Sequence, residues 1–300
     1  MIVMASGKKK RYGVREATAG ICMACLPIAG FLLFTLIPIL LALSMAFLDL
    51  HELYTFEAVT WDGLENFKEV LTDPVFWRSV GNTFYLAAAF PVNIVLSLLI
   101  AYLLSKNIGG KKIFRCIFFI PYVCSTVAVM FMWSWIFNEQ YGVVNHIFGL
   151  TGEKSFNWFS DEMFIPTMLL TGIWSGTGFG IILYSAALTN INSSLYEAAK
   201  LDGANAVTIF FRVTFPLVSP TTFYLVITML IGALQEFTRS QVLVGDALKG
   251  KTIMLYLWEK AFRYPYDVGL ASATSWLLAL LLVGITVLNF KVSKKWVYYD

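Results

Sequence analysis

The chain has 300 residues, 58% of them apolar and 14% charged, where a soluble domain carries about a quarter charged residues. Its 22 basic and 19 acidic side chains, net +3, are too few to cover a globular surface of this size in water. That excludes a water-soluble globular protein, makes membrane lipid the main surrounding of the chain, and gives no reason to expect a nucleic-acid partner.

In chain order, a basic segment comes first, with Lys8, Lys9, Lys10, Arg11 and Arg15. The apolar run behind it is too long for a signal-peptide core and has no small-residue cleavage site, so it reads as a retained anchor. Six apolar runs reach the length of about 20 residues that a bilayer crossing needs. They cover 19–48, 79–104, 113–137, 164–188, 222–244 and 270–291. Cys22 and Cys25 stand as C-x-x-C within the first of these, with no His or carboxylate beside them, and read as small packing residues. With only His51 and His146 in the chain, no metal site is expected.

Orientation follows from Lys and Arg. They gather in the N-terminal segment, in the second connection (Lys106, Lys111, Lys112, Arg115), in the fourth (Lys200, Arg212) and in the tail (Lys291, Lys294, Lys295). The first and third connections are acidic, and the fifth is nearly balanced. Both termini and the fourth connection are therefore expected in the cytoplasm. Pro27, Pro38, Pro91, Pro121 and Pro166 lie within spans, and the fourth carries the glycine-rich "GIWSGTGFGI" at 172–181. Proline kinks a helix and glycine lets backbones approach, which suits ordinary membrane packing as well as a bundle that opens and closes.

The fourth connection is more structured than a plain loop requires. Ser194-Leu195-Tyr196-Glu197 has the capping-box pattern and predicts a short helix through Leu201. Asp202-Gly203 ends it, and Ala204 to Phe215 predicts a second short helix stopped by Pro216 and Pro220. An interfacial helix on lipid headgroups accounts for the apolar second half; docking to a soluble partner accounts for both halves.

The stretch "EAAKLDGANAVTIFFRVTFP" resembles the EAA loop of binding-protein-dependent ABC importer permeases. Glu197-Ala198-Ala199, Gly203 and Phe215-Pro216 fall at the family's spacing, with conservative departures at Val213 and Phe215. "GLENF" at 63–67, "FRCIFFIPYVCSTVAVMFMWSWIF" at 114–137, "GLASATSWLL" at 269–278 and the terminal "KKWVYYD" look like the sugar-uptake branch, and like the first of its two partner permeases. One departure is Val244-Gly245-Asp246, where that family often has Gly-Gly-Pro.

The resemblance implies an all-α membrane protein with the type I ABC importer permease fold, six spans and a cytoplasmic coupling helix, in the bacterial cytoplasmic membrane. It implies a cytoplasmic segment at 1–18, a transmembrane domain at 19–291 with its coupling loop at 189–221, and a cytoplasmic tail at 292–300. Implied partners are a second permease, a cytoplasmic ATPase dimer that binds ATP and Mg, and an extracytoplasmic solute-binding protein delivering a carbohydrate. The chain needs no cofactor of its own: "GGKK" at 109–112 lacks the frame of a phosphate-binding loop, and no catalytic constellation is visible. Coupling to the ATPase is expected at Glu197, Ala198, Ala199, Lys200, Asp202 and Gly203. Sugar contact is expected at Trp174, Ser175, Gly176 and Phe179 on the fourth span, and at Gly232, Gln235 and Glu236 on the fifth. Glu236 could equally pair with Arg239 three residues on. Trp61, Phe67, Phe76 and Trp77 are candidates either for a landing surface or for an interfacial aromatic belt. The rival reading is an ion-coupled secondary transporter, which usually shows internal repeats.

Overall fold

A computed structural model describes residues 14–50, 59–106, 109–160, 162–244 and 248–298. The basic cluster at Lys8–Arg11, His51 and the Gly245-Asp246 departure lie outside the described residues, as do the side chains of Arg15 and Val244.

Among the described residues, five helical stretches are long and apolar enough to cross a membrane: Thr18–Met45, Pro74–Ser105, Phe164–Thr189, Ser219–Leu243 and Val268–Ser293. The expected third span, 113–137, is not one helix. It is Lys111–Val123 followed by Thr126–Ile136, meeting at 98°. Pro121 removes an intrahelical donor just before the break, and Cys124 and Ser125 run extended or nearly so (ψ 147° and 126°).

The second span starts at Pro74, earlier than the apolar run suggests, because Asp73 caps it and accepts the Val75 N–H at 2.7 Å. Asp73 also accepts the Tyr256 hydroxyl at 2.7 Å. Burial pushes that phenol above its ordinary pKa, and the carboxylate hydrogen bond adds to the shift. The fifth span is interrupted too. A helix runs from Ser219 to Leu234, Gln235 closes it, and a second helix begins at Thr238.

Among the described residues two segments widen into π-helix, Leu32–Leu36 and Phe210–Thr214. Each ends two residues before a proline, Pro38 and Pro216. The carbonyl four residues before a proline clashes with its ring in an α-helix. Here that carbonyl belongs to Phe34 or Arg212, inside the wider turn. Pro216 and Pro220 therefore do not stop the second short helix as expected. The chain continues through both, with a single turn at Val218, into the fifth span.

Leu48–Asp49 pairs antiparallel with Thr60–Trp61, the only strand pairing among the described residues. Trp61 is exposed and stacks on Phe47 at 5.6 Å, whereas Phe76 is buried and Phe67 packs against the core beside it. Trp77 is exposed and donates to the Leu71 carbonyl at 2.7 Å.

Two main cores result. One joins the Glu65–Thr72 helix, the second span and the sixth through Val70, Phe76, Tyr256 and Leu270. The other joins the second, fourth and fifth spans through Ile94, Leu98, Tyr184, Val218 and Leu225. The most apolar stretch of the first span buries nothing against the rest of the chain.

At the bundle end that carries Pro74, the loop after the fifth span is tied down by Asn82, whose Nδ2 donates to the carbonyls of Lys249 (3.2 Å) and Lys251 (3.0 Å). Thr83 Oγ1 accepts the Ile253 N–H, and Thr252 Oγ1 donates to the Glu236 carbonyl. Asn82→Ala is expected to speed tryptic cleavage at Lys249 and Lys251 by about tenfold, the factor that one hydrogen bond of about 1.4 kcal/mol is worth. Timed proteolysis of vesicles followed by mass spectrometry reads this directly.

Candidate functional site

The fourth span meets its neighbours through glycine. Gly172, Gly176 and Gly180 are four apart and share one face of the helix. A Cβ on Gly176 would lie 2.3 Å from Asn93 Nδ2, and one on Gly180 would lie 2.4 Å from Ser97 Oγ. Asn93 and Ser97 are themselves four apart on the second span, so the two helices interlock along a seam of bare glycine backbone. Polar bonds close it. Ser97 Oγ donates to the Thr177 carbonyl at 2.7 Å, and Thr177 Oγ1 donates to Asn93 Oδ1 at 3.0 Å. On another side Gly178 abuts the Phe118 carbonyl of the broken third span, 2.6 Å from where its Cβ would be.

Beside this seam lies a cavity of about 470 Å³, within the usual range of small-molecule sites. Its walls come from the second span (Ala89, Phe90, Asn93), the broken third (Pro121, Tyr122, Cys124, Thr126), the fourth and the fifth (Thr228, Met229). The non-helical break at Cys124 thus lines a cavity, which is where a membrane protein can tolerate irregular backbone. Tyr122 and Phe179 stack at 5.2 Å with their planes 23° apart and offer an aromatic surface.

Of the expected sugar-contact residues, Ser175, Gly176, Phe179 and Gly232 are in the cavity wall; Trp174, Gln235 and Glu236 are not. Trp174 packs edge-on against Trp133, with ring centroids 5.5 Å apart. Glu236 sits in the interruption of the fifth span, accepts the Arg239 N–H at 2.9 Å and pairs with its guanidinium. The wall instead includes Arg239 and Asn93. Asn93 was legible as an amide inside the apolar run "FPVNIVLS".

At the far end of the fourth span the helix Ser193–Leu201 stands out from the bundle. None of its residues is buried, and Leu201 is 89% exposed. The Ser194 capping box expected here does not form. The N-cap is Asn192, whose side chain accepts the Ser194 N–H at 3.0 Å. The fourth span closes at Asn190, so Asn192 is the residue left with extended backbone, ψ 127°, at the cap position. Glu197 is consequently not engaged in capping and lies exposed.

The other end is a Schellman turn. Ala204 N–H donates to the Ala199 carbonyl (2.9 Å) and Gly203 N–H to that of Lys200 (3.0 Å), with Gly203 at φ +78°. Tyr196 and Thr214 share a hydrogen bond of 3.3 Å between hydroxyls, tying the exposed helix to the segment that leads into the fifth span.

Comparison with known proteins agrees with this arrangement. Residues 93–294 match the family described as binding-protein-dependent transport system inner membrane component. A Bacillus subtilis protein named "Probable ABC transporter permease protein YesP" is 35% identical, over 98% of this chain and 96% of its own. The lactose transport system permease protein LacF of Rhizobium radiobacter is 30% identical, over 89% of this chain and 91% of its own. The fold superposes with a TM-score of 0.81 on a chain of a solved bacterial ABC transporter involved in the import of the acidic polysaccharide alginate. That likeness covers 94% of this chain and 97% of the other at 24% identity. The secondary-transporter alternative has no support here. With its apolar spans, its glycine seam and its exposed helix, the chain belongs to the inner membrane components of binding-protein-dependent transport systems.

Proposed function

We propose that this chain is one of the two permease subunits of an ATP-driven importer, and that it passes a carbohydrate from an external binding protein to the cytoplasm. The exposed Ser193–Leu201 helix carries the reading: it is ordered by its own cap and turn, yet none of its residues is buried within the chain. Such a helix has a use when a soluble partner covers it. In this reading the partner is a cytoplasmic ATPase, which binds the ATP and Mg, and the chain itself is not an enzyme. The residues that meet it are Glu197, Ala198, Ala199, Lys200, Asp202 and Gly203. Both termini lie in the cytoplasm, the transmembrane domain covers 19–291 with its coupling loop at 189–221, and 1–18 and 292–300 are cytoplasmic.

Closure of the ATPase pair pulls the docked helices together, and the bundle changes the side to which its cavity opens. The cavity suits a sugar: the Tyr122–Phe179 stack offers a flat face, and Asn93, Thr126, Ser175 and Thr228 offer hydrogen-bonding groups. The 30% identical relative is a lactose permease by name, which supports the same substrate class.

The decisive experiment is purification of the tagged chain from its cell in mild detergent, with identification of what comes with it. A stoichiometric ATPase and a second permease are expected. Recovery of the chain alone, or only with copies of itself, overturns the reading. A second expectation concerns Gly203. Nothing lies within 4 Å of a Cβ built there, so only its positive φ restricts the choice of residue. Gly203→Val should cost about 1–2 kcal/mol locally and depress transport-coupled ATP hydrolysis, whereas Gly203→Asn should be tolerated. Equal hydrolysis by both variants would show that the turn does not set the helix.

A further inference from the structure

The charge of the cavity is concentrated at one point. Among the described residues that line it only Arg239 is formally charged, and Glu236, its counter-ion, stands outside the wall. Glu236 is fully engaged: Oε1 accepts the Arg239 backbone N–H, and Oε2 accepts both Nε at 2.7 Å and Nη2. The guanidinium is thereby held by one edge. Its remaining nitrogen, Nη1, lies against the bare backbone of Gly172, 2.2 Å from where a Cβ would stand. An alanine at residue 172 would displace it.

The other polar groups of the wall are neutral hydroxyls, an amide and a thiol. The ion pair is therefore a dipole with its positive end turned to the cavity, in surroundings that screen it poorly. A guanidinium fixed along one edge, with donors left over, suits a carboxylate better than a lone hydroxyl.

We propose that this cavity selects carbohydrates that carry a carboxylate, with Arg239 receiving the acid group and Glu236 acting as the positioning residue that aims it. The proposal rests on the reading of the cavity as the sugar route, and it narrows the substrate class from carbohydrate to acidic carbohydrate.

Cys124 is in the same wall and exposed, so it can report on the cavity. In the assembled transporter in nanodiscs, with Cys22, Cys25 and Cys116 replaced by serine, two methanethiosulfonate reagents are compared at Cys124. One carries a sulfonate and the other a trimethylammonium group. The anionic reagent is expected to react preferentially, and Arg239→Gln to shift the rate ratio by about tenfold toward the cationic one. Digalacturonate should slow labelling far more than its neutral counterpart galactobiose, and that difference should vanish in Arg239→Gln.

Two further variants separate charge from aim. Glu236→Gln and Arg239→Lys both keep a cation in the wall but lose the fixed fork. Both should keep the reagent preference and lose protection by digalacturonate. A merely structural ion pair would not produce this split, and Arg239→Lys provides the test should Arg239→Gln fail to assemble. Equal protection by the neutral and acidic sugars, or a reagent ratio unmoved by Arg239→Gln, overturns the proposal. Labelling needs no ATP, so loss of the ATPase partner would sink the importer reading while leaving this result to stand or fall by itself.

Discussion

Gly180→Leu is expected to be the most destabilising single change in the bundle. The first atom added at this position already meets Ser97, at 2.4 Å from Oγ and 2.6 Å from Cβ. Neither helix has room to give, because the same face holds Gly176 against Asn93. Overpacking of this kind costs about 1–3 kcal/mol even for an added methylene or two, and a leucine exceeds that. Separating the spans also breaks the Ser97–Thr177 bond, worth about 1 kcal/mol. Thermal unfolding in detergent should show a clear fall in Tm and a reduced yield.

The contact can be isolated with smaller changes. Gly180→Ala should destabilise alone and be partly rescued by Ser97→Gly, which removes the atoms it strikes, so the pair should be non-additive. Gly284→Ala, in the sixth span with nothing within 4 Å, should be neutral or slightly stabilising. If Gly180→Ala and Gly284→Ala behave alike, the seam does not hold the second and fourth spans together.

Glu197→Lys is expected to have the largest effect on function with the least on the fold. The side chain is exposed and shows no hydrogen bond or ion pair among the described residues, so its replacement removes no internal support. The helix around it keeps its Asn192 cap and its Schellman turn. What changes is the sign of the charge offered to a partner. Reversing a charge in a docking surface adds repulsion to the lost attraction, and like charges brought together cost several kcal/mol. Co-purified ATPase should fall by more than about tenfold, with transport falling alongside and the Tm of the chain unchanged. Wild-type recovery of the ATPase would remove Glu197 from the docking surface. Glu197→Gln should lie between the two.

Much of this architecture is legible in the sequence, because spans are long and lipid imposes one polarity on their whole surface. The apolar run at 164–188 is the observed Phe164–Thr189 helix to within a residue at each end. Breaks are harder to read. Hydropathy over 113–137 is uninterrupted, and nothing in it distinguishes a straight helix from two helices meeting at 98°. Pro121 was the available sign. The interruption of the fifth span had a plainer sign: "QEFTRSQ" at 235–241 breaks the apolar pattern, and there the Glu236 carboxylate closes onto the Arg239 N–H at the start of a new helix.

The cap of the exposed helix shows a different limit. Ser194-x-x-Glu197 fits the capping pattern, but Asn192 can cap as well. The choice between them depends on where the preceding span stops, which is a tertiary matter. The cavity was only partly legible for a related reason. Residues one helical turn apart share a face, so Ser175, Gly176 and Phe179 could be read together. Trp174 could not be told from them until the helix had neighbours.

Between the end of the fourth span and the exposed helix there are only Asn190, Ile191 and Asn192. On its other side Tyr196 is fastened to Thr214, just ahead of the fifth span. The helix is thus held through its N-terminal half, by a three-residue link to the fourth span and by Tyr196 to the segment that enters the fifth. On the proposed docking of this helix, a push on it would reach the bundle as a crank reaches its shaft, and any spacer let into Asn190–Asn192 would be lost motion.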